Sequence, residues 1–264
     1  MRPNQPGSET ARACWRGIPM RPKTARREMT GTKWDRAGRD TNFRGNAHRA
    51  RTLPRLDEPL TIECMTAETA HLFGRGYLEM YRFQDRHFRL RQNYNVPTFA
   101  GLSWDNYDNP SSHYLLYRVI GGLVCGMSRL TPTTQQYMLG DLWPDMIDGP
   151  TPSAPNIWES SRLGVAAPGA LRTRIVQHLL VAKIEWAKLN EVDTFVGVMP
   201  PALWRKVFTA NGWPTEFLGA PKTLETGETI MAGRAHVSAT IERAVRGTTG
   251  IRHRVLRTAP RTDL

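Results

Sequence analysis

The sequence predicts an α/β fold, a three-layer αβα sandwich around a mixed central sheet. Three observations carry that expectation. Residues 113–120 and 123–130 are two β-rich runs separated by Gly121-Gly122, the pattern of an antiparallel hairpin closed by a tight primed turn. Residues 169–190 carry a helical stripe of Leu171, Ile175, Val176, Leu179, Leu180, Ala182, Ile184 and Trp186. Apolar strand-like runs at 157–165 and 194–199 flank that helix, so strand, helix and strand follow one another.

The remaining elements follow in chain order. Leu60-Thr61-Ile62-Glu63-Cys64 reads as a first short strand. From residue 66 to about 91 the pattern is helical, with Ala70, Phe73, Tyr77, Met80, Tyr81, Phe88 and Leu90 three or four apart. Gly74 and Gly76 are expected to break it into two helices. A short helix is expected over 136–143, and the proline-rich stretch 144–155 reads as a surface loop. Pro201 opens and Asn211-Gly212 closes a second helix. A β-rich stretch over 218–236 completes the sheet.

The chain of 264 residues is 40% hydrophobic, enough for one large packed core. Its net charge of +12 suggests a nucleic acid or a membrane surface as partner. The distribution of charge argues against both. Residues 1–56 hold 14 Lys and Arg against 4 Asp and Glu, and residues 241–264 hold 6 against 2. The body, 57–240, has 16 against 18 and is nearly neutral. The expected organisation is a disordered basic extension over 1–56, a folded domain over 57–240 and a basic tail over 241–264. A protein that holds nucleic acid or anionic membrane through these arms is the non-enzyme alternative.

Three scattered cysteines, Cys14, Cys64 and Cys125, form no metal-ligand spacing, and their odd number fits a reducing cytoplasm. There is no apolar run near the ~20 residues of a membrane span and no secretory leader pattern. The sequence has no G-x-S-x-G elbow, no phosphate loop and no HExxH spacing. No metal and no cofactor is expected, and the expected location is the cytoplasm.

Five charged residues of the body fall in three short segments. Trp104-Asp105-Asn106-Tyr107-Asp108-Asn109-Pro110 places two carboxylates three apart. Ser128-Arg129-Leu130-Thr131-Pro132 ends a strand with an arginine, and Ile157-Trp158-Glu159-Ser160-Ser161-Arg162 sets an acid and a base three apart in an apolar setting. Three carboxylates and two guanidiniums are costly to bury singly and tolerable as a network. Converged, they suit a small zwitterion, a guanidinium taking its carboxylate and the carboxylates its cationic group. Scattered, they are ordinary solvated ion pairs.

These segments, in this order, resemble the acyl-homoserine-lactone synthase family, the autoinducer synthases of bacterial quorum sensing. The resemblance covers roughly residues 77–235 and includes Met80-Tyr81-Arg82-Phe83-Gln84-Asp85-Arg86-His87-Phe88, an N-terminal signature of that family. It implies a fold similar to that of the GCN5-related N-acetyltransferases. It implies transfer of an acyl group from an acyl carrier protein, or from coenzyme A in some members, to the amine of S-adenosylmethionine, followed by lactone closure and release of 5′-methylthioadenosine. S-adenosylmethionine is then a substrate, not a cofactor.

The resemblance assigns Glu159 as the base for the amine, Asp105 and Asp108 to the ammonium and sulfonium, and Arg129 and Arg162 to the carboxylate or to bracing the aspartates. Gln84, Arg86, Phe88, Tyr94, Trp104, Trp143, Ser161, Met127 and Met199 are the substrate-binding candidates. Backbone amides near Ser161 are candidates for the oxyanion. The acyl chain is expected between the strands at 124–127 and 196–199, beside Leu179 and Ile184. Arg172, Arg174, Lys183, Lys188, Arg205 and Lys206 are expected to form a basic docking face for an acidic carrier protein. Four departures stand out: Gln84 replaces a usual arginine, Tyr94 a usual tryptophan, and Trp143 and Leu163 each a common phenylalanine. Met65 lies near where chains of the resembled family begin, so an alternative expectation is that the residues before it are not translated. The enzymatic alternative is another N-acyltransferase of the same fold that uses coenzyme A and a different amine.

Overall fold

The computed structural model describes residues 59–92, 96–119 and 121–260. The expectations for 1–56 and for Tyr94 lie outside these residues. The first strand, β1 (Ile62–Met65), is followed by a single 3-10 turn, Ala70–Phe73, and by helix α1 (Arg75–Gln84), which widens into a π-helical turn over Asp85–Arg91. A two-stranded ribbon, β2 (Thr98–Phe99) and β3 (Leu102–Ser103), leads to the hairpin β4 (His113–Val119) and β5 (Leu123–Pro132). Helix α2 (Met138–Leu142), strand β6 (Ile157–Val165), helix α3 (Gly169–Leu189) and strand β7 (Thr194–Met199) come next. A helical segment begins as α4 (Pro201–Leu203) and continues with wider turns at Trp204–Phe208 and a 3-10 turn at Thr209–Asn211. Short strands β8 (Glu216–Phe217) and β9 (Lys222–Thr223), strand β10 (Thr229–His236), helix α5 (Ala239–Thr249) and strand β11 (Leu256–Arg257) end the fold.

Among the described residues, the main sheet runs β11-β1-β4-β5-β6-β7-β10-β8, with β9 also pairing β10. It is mixed: β1–β11 and β6–β7 are parallel, and the other pairs are antiparallel. Helices α3 and α5 cover one face with Leu179, Trp186, Phe195, Phe208 and Val245. On the other face α1 packs Met80 and Phe83 against Leu116 and Met127, and the α2 region packs Leu139 against Val196 and Ile230. The three layers match the α/β sandwich that the hairpin and the strand–helix–strand pattern predict.

Three local expectations are corrected. Val119 pairs with Leu123, so the hairpin connection has three residues rather than the two of a primed turn. Gly76 does not break the helix; it is buried inside α1. A Cβ there would lie 2.8 Å from Nη1 of Arg118, whose guanidinium holds Glu63 through two buried hydrogen bonds of 2.7 and 2.8 Å. The glycine thus serves a close approach between helix and sheet. The segment after Pro201 is not one regular helix but a succession of turns of different pitch.

Residues 241–264 are not a tail as far as they are described. Helix α5 is capped by Ser238 Oγ, which accepts from the Ile241 amide at 3.2 Å, and Val245, Ile251, Val255 and Leu256 are buried. Glu185 of α3 accepts from the amides of Val255 and Leu256 and from Arg246, locking the segment onto the sheet. Counting charge hid the helical spacing of Ile241 and Val245.

Candidate active site

The polar cluster forms on the α1 face of the sheet, at the middle of β5 and β6. Register places Arg129 opposite Ser161 and Thr131 opposite Glu159, so strand alternation turns Arg129, Glu159 and Ser161 to one face. Arg162 would point the other way in a regular strand. It does not, because two residues of β6, 162 and 163, oppose the single residue 128 of β5, and Arg162 adopts φ 52°. This bulge, with a non-glycine residue in the left-handed region, aims the guanidinium back to the side of Arg129. Strain of this kind, on the order of 1–3 kcal/mol, is held where the surroundings over-determine it.

Arg129 is fully buried. Its Nη1 contacts Asp105 at 2.5 Å and Asp108 at 3.0 Å, and its Nε donates to Ser161 Oγ at 3.1 Å. Nη2 is buried with no hydrogen-bond partner among the described residues. Arg162 Nη2 donates to the second oxygen of Asp105, and its guanidinium lies 5.2 Å from the ring centroid of Phe88. The 105–108 turn ties itself together, the Asp105 amide donating to Asp108 Oδ2 at 2.9 Å and the Asp108 amide to the Asp105 carbonyl at 3.0 Å. Gln84 Nε2 and the Tyr114 hydroxyl both donate to Asp108 Oδ1, at 3.2 and 2.8 Å.

Burial alone would raise the Asp105 carboxyl, but the guanidiniums of Arg129 and Arg162 more than reverse it and hold it well below the usual carboxylate range. The same pairing keeps Arg129 charged despite complete burial. Glu159 differs. Its carboxylate accepts from the amides of Leu139 at 2.7 Å and Met138 at 3.2 Å, at the start of α2. Burial raises its pKa, and the charge of Arg129 and the two amides only partly oppose the rise. A carboxylate raised towards neutrality and fixed by two amides suits a general base.

Asp105, Asp108, Arg129, Arg162, Ser161 and Gln84 thus meet in one network, with Glu159 beside it and Phe88 beneath Arg162. Arg86 does not join: it and Arg82 pair with Glu79 on the outer side of α1. Trp104 is 41% exposed next to Asp105, open to stack on a ligand. Trp143 packs with Val196, Leu139 and Met146 on the wall behind Glu159. Met127 and Met199 lie on opposite faces of the sheet, Met127 with the α1 cluster and Met199 with the α3 cluster. Lys183 belongs to no docking face, because it is completely buried. Lys188 of that group pairs with Glu242 and Arg172 donates to the Ala167 carbonyl. Two contributors were missed. Tyr114, paired with Arg129 in the β4–β5 register, holds Asp108, and the Tyr107 ring lies 5.6 Å from the Arg129 guanidinium. Alternation along β4 was the available signal for Tyr114. Among the described residues no group of three His, Cys, Asp or Glu side chains could hold a metal ion.

The family model described as autoinducer synthase matches residues 73–245, which contain every member of this network. The chain belongs to the autoinducer synthase family. It is accordingly an enzyme, an acyltransferase. It is 30% identical over 174 residues to an acyl-homoserine-lactone synthase of Aeromonas hydrophila, covering 63% of this chain and 83% of that protein. An acyl-homoserine-lactone synthase of Pseudomonas aeruginosa is 27% identical over 65% of this chain and 84% of its own. Among solved structures, a CoA-dependent acyl-homoserine lactone synthase, BjaI, with SAM and isopentyl-CoA superposes with a TM-score of 0.68 at 24% identity, over 77% of this chain and 96% of that one. The synthase LasI superposes with a TM-score of 0.59 at 23% identity, over 69% of this chain and 92% of that one. These superpositions share the α/β fold described above.

Proposed function

We propose that this autoinducer synthase makes an N-acyl-L-homoserine lactone from S-adenosylmethionine and an acyl-acyl carrier protein, in the cytoplasm where both substrates are made. The observation that carries the reading is the convergence of Asp105, Asp108, Arg129 and Arg162 in one buried network. Two opposed charge types held in fixed geometry suit a ligand that is itself ammonium, sulfonium and carboxylate. Arg129 Nη2 is the donor that the network leaves for the carboxylate. Asp105 and Asp108 face the cationic groups, and exposed Trp104 stacks on the adenine.

In the first step Glu159, directly or through one water, takes a proton from the substrate ammonium. The amine attacks the thioester carbon, the C–S bond breaks and the carrier leaves as thiol. Pairing of β6 with β7 ends at Glu159–Val196, so the β7 side of β6 beyond that point has no ladder, and amides near Ser161 suit the oxyanion. In the second step the substrate carboxylate attacks its own γ-carbon, closing the lactone and expelling methylthioadenosine. This step is intramolecular, so holding the folded conformer supplies most of what is needed.

Coenzyme A is the alternative donor, favoured by the fold-level likeness to CoA-dependent synthases. Incubating the purified protein with S-adenosylmethionine and matched acyl-carrier-protein or acyl-CoA thioesters separates the cases. Methylthioadenosine and lactone from the carrier donor at lower concentration support the proposal. Release only with acyl-CoA reassigns the donor, and no methylthioadenosine with either overturns the synthase reading.

A further inference from the structure

Lys183 is the charged group that the reaction above leaves unused. It sits on α3, completely buried, with no carboxylate within ion-pair distance among the described residues. Its Nζ makes one hydrogen bond there, to Ser160 Oγ at 2.7 Å, and lies 5.5 Å from the Phe208 ring centroid. Ser160 Oγ lies 3.5 Å from Ser128 Oγ. An ammonium carries three donors, or two as the neutral amine, so donor capacity is left over. A buried lysine held by one hydroxyl is a costly arrangement that an apolar residue would relieve.

Its place in the sheet gives that cost a use. Ser160 lies between Glu159 and Ser161 and points to the opposite face, where Lys183 waits. The β6–β7 ladder stops at Glu159–Val196, although β6 continues to Val165 and β7 to Met199. The strands are therefore unpaired from just past Ser160 onward, one residue from the reacting groups. At Ser160 itself the two strands are still in close approach, since a Cβ on Gly197 would lie 2.8 Å from the Ser160 carbonyl oxygen, and any opening begins past that point. Beyond it, on the α3 face, lie Phe208, Leu179 and Met199. An acyl chain whose thioester carbonyl sat by Ser161 and which entered the α3 layer past Gly197 would run by Lys183 within its first few carbons, because Lys183 Nζ lies 2.7 Å from Ser160 Oγ. The reach of a serine side chain and one hydrogen bond sets that distance at about 5 Å from the β6 backbone.

We propose that Lys183 and Ser160 are specificity-determining residues for an acyl chain that carries its own hydrogen-bonding oxygen, a keto or hydroxyl group close to the thioester, in preference to a plain saturated chain. The inference rests on the synthase reading. A saturated chain leaves the spare donors of Lys183 buried and unmet, whereas an oxygen on the chain accepts from them. One hydrogen bond to a charged or polar buried group separates such substrates by about tenfold to a hundredfold.

The test measures kcat/KM for hexanoyl, 3-oxohexanoyl and 3-hydroxyhexanoyl thioesters on the donor the protein accepts, for the natural chain and for Lys183→Met. The expected result is a preference of about tenfold or more for an oxygenated chain, falling at least tenfold in Lys183→Met. A preference for the saturated chain, or a ratio that Lys183→Met leaves in place, overturns the inference while lactone formation upholds the synthase reading. No lactone from any donor overturns both. Should Lys183→Met fail to fold, Ser160→Ala is read by the same ratio, with the same two outcomes.

Discussion

Asp105→Asn tests the network with the smallest change of shape. Asn keeps one oxygen to accept from the Tyr107 amide, as Asp105 Oδ1 does at 2.9 Å, but removes the charge and puts an NH2 donor where Oδ2 accepts from Arg162 Nη2. Asp105 and Asp108 balance Arg129 and Arg162, so the substitution leaves one buried guanidinium charge in excess. At ~4 Å and an effective dielectric of about 20, each lost attraction is ~4 kcal/mol, partly offset by the smaller desolvation of a neutral amide. Breaking a buried pair from one side costs about 3–5 kcal/mol, a third or more of a domain's typical stability. Urea unfolding at pH 7, followed by circular dichroism, reads it directly. The pH dependence has a definite sign. The folded Asp105 pKa lies below its unfolded value, so its stabilisation is complete above the unfolded pKa of about 3.9 and is lost as pH falls through the folded value. The difference between the natural chain and the variant must therefore be flat near neutrality and shrink only in acid. A loss under about 1 kcal/mol at pH 7, or a difference that changes between pH 6 and 8, refutes the reasoning.

Glu159→Gln should lower the acylation rate by about 10²- to 10⁴-fold with circular dichroism unchanged, and near-normal turnover would make Glu159 structural. Its raised pKa also places the acid limb of the natural enzyme's kcat/KM profile above the ordinary glutamate value of about 4.3; a limb at or below that value counts against it as the base. Gly76→Ala should cost roughly 1–3 kcal/mol, because the methyl meets Arg118 and disturbs its pairing with Glu63; denaturant titration showing no loss would contradict the close approach. Burial pushes Lys183 down to about 7, so the unfolded chain, with lysine near 10.4, binds more protons between those values. Stability should then rise with pH from about 7 to 10 on its account, and Lys183→Met should flatten that slope; parallel slopes would sink the assignment.

Most of the fold was legible because strand and helix periodicities were strong where the core is thickest. The span Ile157–Val165 and the helix from Gly169 come out as read, since apolar alternation and a long stripe leave few other arrangements. The charged site was legible only as three segments. Nothing in the sequence marks Arg162 for positive φ, since that conformation ordinarily calls for glycine, so the bulge that brings it to Asp105 was invisible. Lys183 was misplaced because lysine on a helix ordinarily faces water, and its burial depends on Ser160 from a distant strand. The C-terminal residues were misread because net charge says nothing of the spacing that buries Val245 and Leu256.

S-adenosylmethionine binding by one buried network of carboxylates and guanidiniums underlies the proposed reaction. Titration calorimetry of S-adenosylmethionine into the natural chain, Asp108→Asn and Arg129→Lys tests it most directly. Asp108 and Arg129 face each other at 3.0 Å. The natural chain should bind, and each folded variant should bind at least about tenfold more weakly, the share of one charge-assisted contact. Folded variants that bind as tightly as the natural chain would contradict it.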